Sequence, residues 1–517
     1  MFSIDTNPEN ATIILKMTSE ILIVGKGIAG MTSAIYLAEL RPDIQITLID
    51  KSDGSSSATF FAQGGLAAVQ STLDSFDSHY RDTLEAGHFL NDPKIVREVV
   101  TRAPEVIQDL SSWGVSWDRF EDGRLNLGLE GGHSFSRIVH HGDQSGKIIH
   151  QQVASKLRNY PNIQLIEHSA VRDLWVEEGE CKGVIVYQED LSQEMTIPSQ
   201  TVILATGGLS SIFPRSTNAQ NSTGDGLAIA LRAGVKTGDL PWVQFHPTVL
   251  NIGSTDHSNL LTEALRGAGA YIINEKGSRF LFDSLSKGEL STRDLVCEAI
   301  WREIAKDPNS NAYLDCRHFP KGTMIRSFPQ VYSLCQRANL DPEKDLLPIL
   351  PAAHYHCGGI STDRTGKTSL PRLYAVGEVA RTGLHGCNRL ASNSIIEALV
   401  FAKNAAAALA LEHRKESANS YHLDTRKIYS PDIFGQPSVI DFWKESLFEY
   451  FMKKSKPEFG SLQEIRDRLQ ILELSVERGI YSTTILKERN LLQIYKALMI
   501  FNKNECVHDF PYQKNRI

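Results

Sequence analysis

The chain opens its patterned part with Glu20-Ile-Leu-Ile-Val-Gly25, an apolar run without polar alternation that is closed by glycine. A strand covered on both faces needs no alternation, so this run predicts a buried parallel strand. Gly25-Lys-Gly-Ile-Ala-Gly30 follows, then helical spacing to Leu40, a break at Arg41-Pro42-Asp43 and a second strand from Ile44 to Asp50. That order predicts a βαβ unit. Residues 91–120 have helical apolar spacing, whereas 163–206 switch to short β-rich runs such as Gly183-Val-Ile-Val-Tyr187 and Thr201-Val-Ile-Leu-Ala-Thr206. Residues 240–350 are mixed and broken by Gly and Pro, as expected of an inserted domain. Leu373-Tyr-Ala-Val-Gly377 returns to the pattern of a core strand, and Asn393–Leu411 is a strong helix. Residues 414–440 are polar and turn-rich, a linker. Residues 461–502 are helical, with Ile465, Leu469, Leu472 and Leu474 as apolar positions.

The fold predicted from this order is α/β: a Rossmann-like nucleotide-binding domain (18–238 and 351–410), an inserted α+β capping domain (239–350) and a C-terminal helical domain (421–517). The first sixteen residues look like a loose extension, with Met17 as an alternative start. No apolar run reaches about 18 residues, so no spanning helix is expected. The net charge of −7 gives no nucleic-acid surface, although a local Arg and His cluster can still make one cleft positive. The seven cysteines form no CxxC pair, which favours free thiols in a reducing, cytoplasmic setting over a zinc or disulfide framework. Asp74, Asp77 and His79 are expected on a solvated surface. His354-Tyr-His356-Cys357 is not expected to hold a metal, so none is assigned.

The glycine loop carries the first chemistry. The first glycine permits the tight turn, the second lets backbone approach a pyrophosphate, and the third lets helix pack on strand. The helix N-terminus presents free N–H groups to phosphate, and Asp50, at the end of the second strand, can hold ribose hydroxyls. Ala58–Gly65, Ala205-Thr-Gly-Gly208 and Glu378 just after a strand favour FAD over NAD, and a second full GxGxxG is not evident.

In this order, these segments resemble the succinate dehydrogenase/fumarate reductase flavoprotein superfamily and, within it, the L-aspartate oxidase family. The resemblance covers about residues 20–410. It rests on Phe61-Ala-Gln-Gly-Gly-Leu-Ala-Ala, Glu130-Gly-Gly-His-Ser, Gln244-Phe-His-Pro-Thr248, Leu261-Thr-Glu-Ala-Leu-Arg-Gly267, Thr292-Arg-Asp294, Pro351-Ala-Ala-His354 and Leu384-His-Gly-Cys-Asn-Arg389-Leu-Ala-Ser-Asn-Ser394. It implies FAD contacts at Lys26, Gly27, Ile28, Ala29 and Gly30, at Asp50 and Lys51, and at Ala58, Thr59, Phe60, Phe61, Ala62, Gln63, Gly64 and Gly65. Further contacts are implied at Ala170, Val171, Asp225, Glu378, Ser394 and Ile395. Succinate dehydrogenases link flavin covalently to a histidine where this chain has Ala58, so the FAD is expected to be non-covalent.

A short dicarboxylate needs two anion clamps, and the planar fork of Arg suits a carboxylate. The resemblance points to Arg389 and Arg293, with His246, His354 and Thr262 completing the donors and Arg293 as the catalytic residue. Glu130 separates substrates. The ammonium of aspartate needs an anion that succinate does not, and the succinate enzymes carry a hydrophobic residue there. The alternative for Glu130 is a turn cap or a pair with Arg137. The implied activity is FAD-dependent oxidation of L-aspartate to iminoaspartate, with oxygen or fumarate as acceptor. This would open NAD biosynthesis, with quinolinate synthase as candidate partner. Competing readings are a fumarate reductase or succinate dehydrogenase flavoprotein, and a flavin-binding protein without turnover. Past about residue 411 the resemblance fades: the arginine-bearing helix motif usual in the family is not clear here. Cys387 also stands where alanine is usual.

Overall fold

The computed structural model describes residues 19–412 apart from 55–56, 189–192, 253–258 and 308–309, then 425–427, 444, 462–477 and 483–504. The N-terminal extension, most of the expected linker and the tail lie outside the described residues.

Five parallel strands form the centre, in the order Ile163–Ile166, Ile46–Ile49, Ser19–Val24, the end of Gln193–Leu204, and Leu373–Ala375. Ile21, Leu22 and Ile23 are all fully buried, which is why their stretch of sequence shows no alternation. The start of Gln193–Leu204 leaves the parallel sheet and pairs antiparallel with Glu180–Gln188, which pairs in turn with Ala170–Glu177.

Each face of the sheet has its own core. One is closed by the helices Ile28–Leu40, Pro93–Ser112, Ser145–Leu157 and Asn393–Glu412. The other is closed by the antiparallel strands, Asp225–Arg232 and the two C-terminal helices Leu462–Glu477 and Thr483–Asn504. Ile465, Leu469 and Leu472 are buried there, but Leu474 is 43% exposed and is not a core position. A third core lies under the four-stranded antiparallel sheet built from Val243–Leu250, Leu347–His356, Ala312–Asp315 and Tyr271–Asn274, with Arg293–Ile304 packed on it.

Two elements differ from the sequence reading. The helix expected over 91–120 runs only from Pro93 to Ser112. Asp92 caps its start by accepting from the N–H of Lys94 (2.9 Å), and Gly114, at φ +95°, turns the chain out after Trp113. Asn393–Glu412 is, by length and apolarity, a helix that could cross a membrane, with a window of mean hydropathy 1.6. Of that window 61% is buried against the protein, as in a core helix.

Candidate active site

Beside the ends of the parallel strands lies a cleft running from the glycine loop to the third core. At one end the three glycines divide their work. A Cβ on Gly25 would lie 2.4 Å from the Ala205 carbonyl oxygen, and one on Gly30 1.9 Å from the Gly25 oxygen, so both serve packing. A Cβ on Gly27 would meet only Thr59 Oγ1, at 3.9 Å, so this backbone faces open cleft. Gly27, the N-cap of the helix Ile28–Leu40, has no side chain to cap it, and Thr59 Oγ1 takes the Ile28 N–H (3.2 Å), which leaves the following N–H groups for an anion. Asp50 braces the loop by accepting from the backbone N–H groups of Lys26 (2.6 Å) and Ser52 (2.7 Å). Gly27, Ile28, Ala29, Asp50, Lys51, Ala58, Thr59, Phe61, Ala62, Gln63, Gly64, Gly65, Glu378, Ser394 and Ile395 all line the cleft.

Six expected contacts stand off its wall. The Lys26 ammonium runs to Glu167 and to the Asp53 carbonyl (3.0 Å). Gly30 lies beneath Gly25. The Phe60 ring packs edge-on against His150 and Phe61. Ala170 and Val171 pair with Tyr187 and Val186 within the sheet. Asp225 accepts from Lys51 Nζ (2.6 Å) and Asn490 Nδ2 (3.0 Å).

At the other end Glu130, His246, Thr262, Arg293, His354 and Arg389 line the same cleft, although they come from six separate stretches of sequence. Arg293, the first residue of its helix, donates from Nε to Glu263 Oε2 (2.5 Å) and from Nη1 to Gln244 Oε1 (2.9 Å). Arg389 donates to Ser394 Oγ (3.2 Å) and His354 Nε2 (2.9 Å), and its plane lies 4.5 Å from the centre of the Tyr355 ring. Its buried Nε is without a partner among the described residues. Burial first, and then the nearby positive Arg293, pull its guanidinium down to about 10.

His246 is buried and His354 partly so, and both are held neutral, well below the ordinary imidazole range, by desolvation and the adjacent arginines. The Thr248 N–H donates to His246 Nδ1 (3.3 Å), which leaves the ring proton on Nε2. His354 accepts from Arg389 at Nε2, so its proton sits on Nδ1 and is donated to Thr217 Oγ1 (2.6 Å). Both of its nitrogens are therefore engaged within the protein.

Glu130 is 3% exposed and accepts from Ser392 Oγ (2.6 Å). Arg137 is taken instead by Asp74 and Asp82, so the Glu130–Arg137 pair does not form. Burial and the neighbouring Glu263 raise the Glu130 carboxyl above its usual range. Burial also opposes ionisation of Glu263, but Arg266 and Arg293 outweigh it and hold that carboxyl at about 2. The expected solvated surface is a correction. His79 is 0% exposed, and the Asp74 side chain is 1% exposed against Arg137; only Asp77 faces solvent.

Residues 20–395 match the FAD binding domain family. Curated L-aspartate oxidases from Yersinia pestis and Neisseria meningitidis are 40% and 39% identical to the chain over 399 and 393 residues. Those matches span 75% and 76% of this chain and 74% and 78% of the relatives. The chain belongs to the L-aspartate oxidase family. Among solved structures, a variant of the E. coli quinol fumarate reductase shares the fold, with a TM-score of 0.75 and 30% identity over 93% of this chain and 87% of that one.

The cofactor of the family is FAD, and the cleft fits it. Beyond the open face at Gly27, Gly207 would also carry a Cβ into empty space, and the buried Thr206 Oγ1 and Gln63 Oε1 are without partners among the described residues. Ala58 offers no side-chain atom for a covalent flavin link, so binding is non-covalent. Burial lifts the half-buried Glu378 carboxyl to about 7, where it accepts from the His356 N–H (3.0 Å).

Sequence reasoning did not single out Gln244, Glu263, Thr217, Tyr355 or Ser392. Gln244 and Glu263 lie inside the quoted motifs next to residues that were chosen; their polarity within apolar stretches was the available signal. Ser392 adopts φ +60°, uncommon for a residue with a side chain and a mark of strain at a functional turn.

Proposed function

We propose that the chain oxidises L-aspartate to iminoaspartate. Bound FAD supplies the two-electron acceptor for the hydride leaving Cα. Arg389 grips one carboxylate with a guanidinium that has no carboxylate partner among the described residues. Arg293, steadied by Glu263 and Gln244, takes the other with the Nε2–H of His246 and the Thr262 hydroxyl. His354 acts at this end by aiming Arg389. Arg293 sits where charge must be balanced as the bond to hydride breaks, and its contribution is electrostatic, since arginine keeps its proton. The ammonium lies toward Glu130. An approaching cation favours the ionised form of that carboxyl and reverses the effect of its burial.

The observation that carries this reading is the convergence of two buried guanidinium groups and one buried carboxyl group without a cationic partner among the described residues on the lining of the FAD cleft. A succinate or fumarate enzyme has no use for that carboxylate, and Ala58 also separates the chain from enzymes with covalent flavin. Oxygen or fumarate reoxidises the flavin; the likeness to quinol fumarate reductases supports fumarate. We place the reaction in the cytoplasm at the entry to NAD biosynthesis, with quinolinate synthase consuming the unstable imine. The separate third core supports a cap over 239–350, with Leu347–His356 running from it into the cleft, whereas the C-terminal helices share a core with one face of the FAD-domain sheet.

Anaerobic titration of the purified holoenzyme tests the assignment. L-Aspartate is expected to bleach the flavin absorbance, and succinate to leave it unchanged. Bleaching by succinate alone would reassign the chain to the fumarate reductase side, and no bleaching by either would leave a flavin protein without this turnover.

A further inference from the structure

The region matched by the FAD-binding family ends at residue 395, yet a helix far beyond it is bonded to Asp225, the residue that holds Lys51 on the cleft wall. The adenosine half of a dinucleotide belongs at the Asp50 and Lys51 end. The pyrophosphate goes to the N-terminus of Ile28–Leu40, and the acid closing the second strand faces the ribose. Lys51 lines the cleft there. Its ammonium is held in place by the Asn221 carbonyl (2.7 Å), Thr223 Oγ1 (3.1 Å) and Asp225 Oδ2 (2.6 Å).

Asp225 is itself held from the other side. Asn490, on the helix Thr483–Asn504, donates from Nδ2 to Asp225 Oδ1 (3.0 Å) and accepts from Arg232 Nη1 through Oδ1 (2.8 Å). Next to it, Arg489 donates from Nη2 to both oxygens of Asp173 (2.9 and 2.7 Å), and Arg232 Nε donates to Asp173 Oδ1 (2.6 Å). A Cβ on Gly224 would lie 2.6 Å from Ile494 Cδ1, so the turn before Asp225 is packed directly against this helix. Each carboxylate oxygen of Asp225 is thus set from a different element, and its position passes to Lys51.

We propose that the helix Thr483–Asn504 is a working part of the cofactor site: through Asn490 and Asp225 it fixes Lys51 on the wall that meets the adenosine half of FAD. The proposal rests on the FAD reading above. Arg489 and Arg232, closing on Asp173, set the helix in register so that Asn490 meets Asp225. Asn490 touches no substrate; it is a positioning residue that acts through affinity for the cofactor.

The test is the dissociation constant for FAD, measured by recovery of free flavin fluorescence on dilution of the holoenzyme. Asn490→Leu should weaken FAD binding about tenfold, the loss of one hydrogen bond to a charged group, and activity lost at limiting FAD should return on adding FAD. Asn490→Asp, which sets a second carboxylate against Asp225, should weaken it further. Arg468→Met is the control. Arg468 joins the two C-terminal helices through Glu488 (2.9 Å) without touching the cleft, so it should lower thermal stability and leave FAD affinity unchanged. Should Asn490→Leu yield no folded protein, hydrogen exchange on the unaltered chain takes its place: amides of 483–504 should slow when FAD is added. The proposal is overturned if Asn490→Leu binds FAD within about twofold of the parent, if Arg468→Met weakens FAD as much, or if exchange in the helix ignores FAD. Failure of the parent chain to bind FAD at all would instead sink the cofactor reading itself.

Discussion

Arg137 and Arg389 are both buried, 0% and 5% exposed, yet they sit in opposite kinds of surroundings. Arg137 is saturated: Asp74 receives its Nε and Nη2 (both 2.8 Å), Asp82 receives Nη1 (2.6 Å), and Ser78 and His133 complete the shell. Arg389 has a histidine, a serine and an aromatic face, no carboxylate partner among the described residues, and an orphaned Nε. A buried charge is tolerated only when it is compensated. Arg137 finds compensation in the chain, which makes it structural; the compensation for Arg389 must arrive from outside, which makes it a binding group. For buried arginines, the missing anion is a better sign of function than burial itself.

The largest expected effect falls on the saturated member. Arg137→Met strands two buried carboxylates and should cost about 3–5 kcal/mol of stability, measured by denaturant unfolding, while the fraction that folds keeps its KM for L-aspartate. Arg389→Leu should do the reverse. It is expected to lower kcat/KM for L-aspartate roughly 100- to 1000-fold while leaving the thermal midpoint unchanged or raised, because an uncompensated charge has been removed. A midpoint that fell as far as in Arg137→Met would erase the contrast between the two sites.

Smaller changes sharpen it. Glu130→Gln keeps shape and loses the anion, so KM for L-aspartate should rise roughly 10- to 100-fold. Inhibition by succinate, which has no ammonium, should be unaffected or tighter; equal weakening of both ligands would show that Glu130 does not read the amine. The smallest effect is at Glu378. Its folded carboxyl titrates at about 7 against an ordinary 4.5, so the folded state holds a proton that the unfolded chain releases. The resulting stability is complete below the lower value and lost as pH rises through the higher. Without added FAD, the melting temperature should decline between pH 5 and 8, and Glu378→Gln should flatten that decline by about 2 °C.

Much of this was legible along the chain. Apolar runs without alternation named the parallel strands, and the glycine loop with Asp50 named the nucleotide site, because both signals come from backbone needs met by neighbours in sequence. The C-terminal helices were also visible, although an apolar position such as Leu474, which is 43% exposed, does not say which face its helix will bury. Asp74 and His79 are buried, not solvated, for a related reason: their partners, Arg137 and Asn393, lie 63 and 314 residues away, and polar residues look exposed until such partners are found.

By itself, the sequence determined the local elements, the approach of backbone to phosphate and the residue types able to hold a diacid. Only the tertiary structure decided which of those residues work. Whether an arginine is spent on Asp74 or left open, whether a histidine is a free donor or is already bonded at both nitrogens, and whether Asn490 reaches Asp225 are settled by distances between parts of the chain that sequence does not connect. Electrostatic compensation is a property of space, and only folding assigns it.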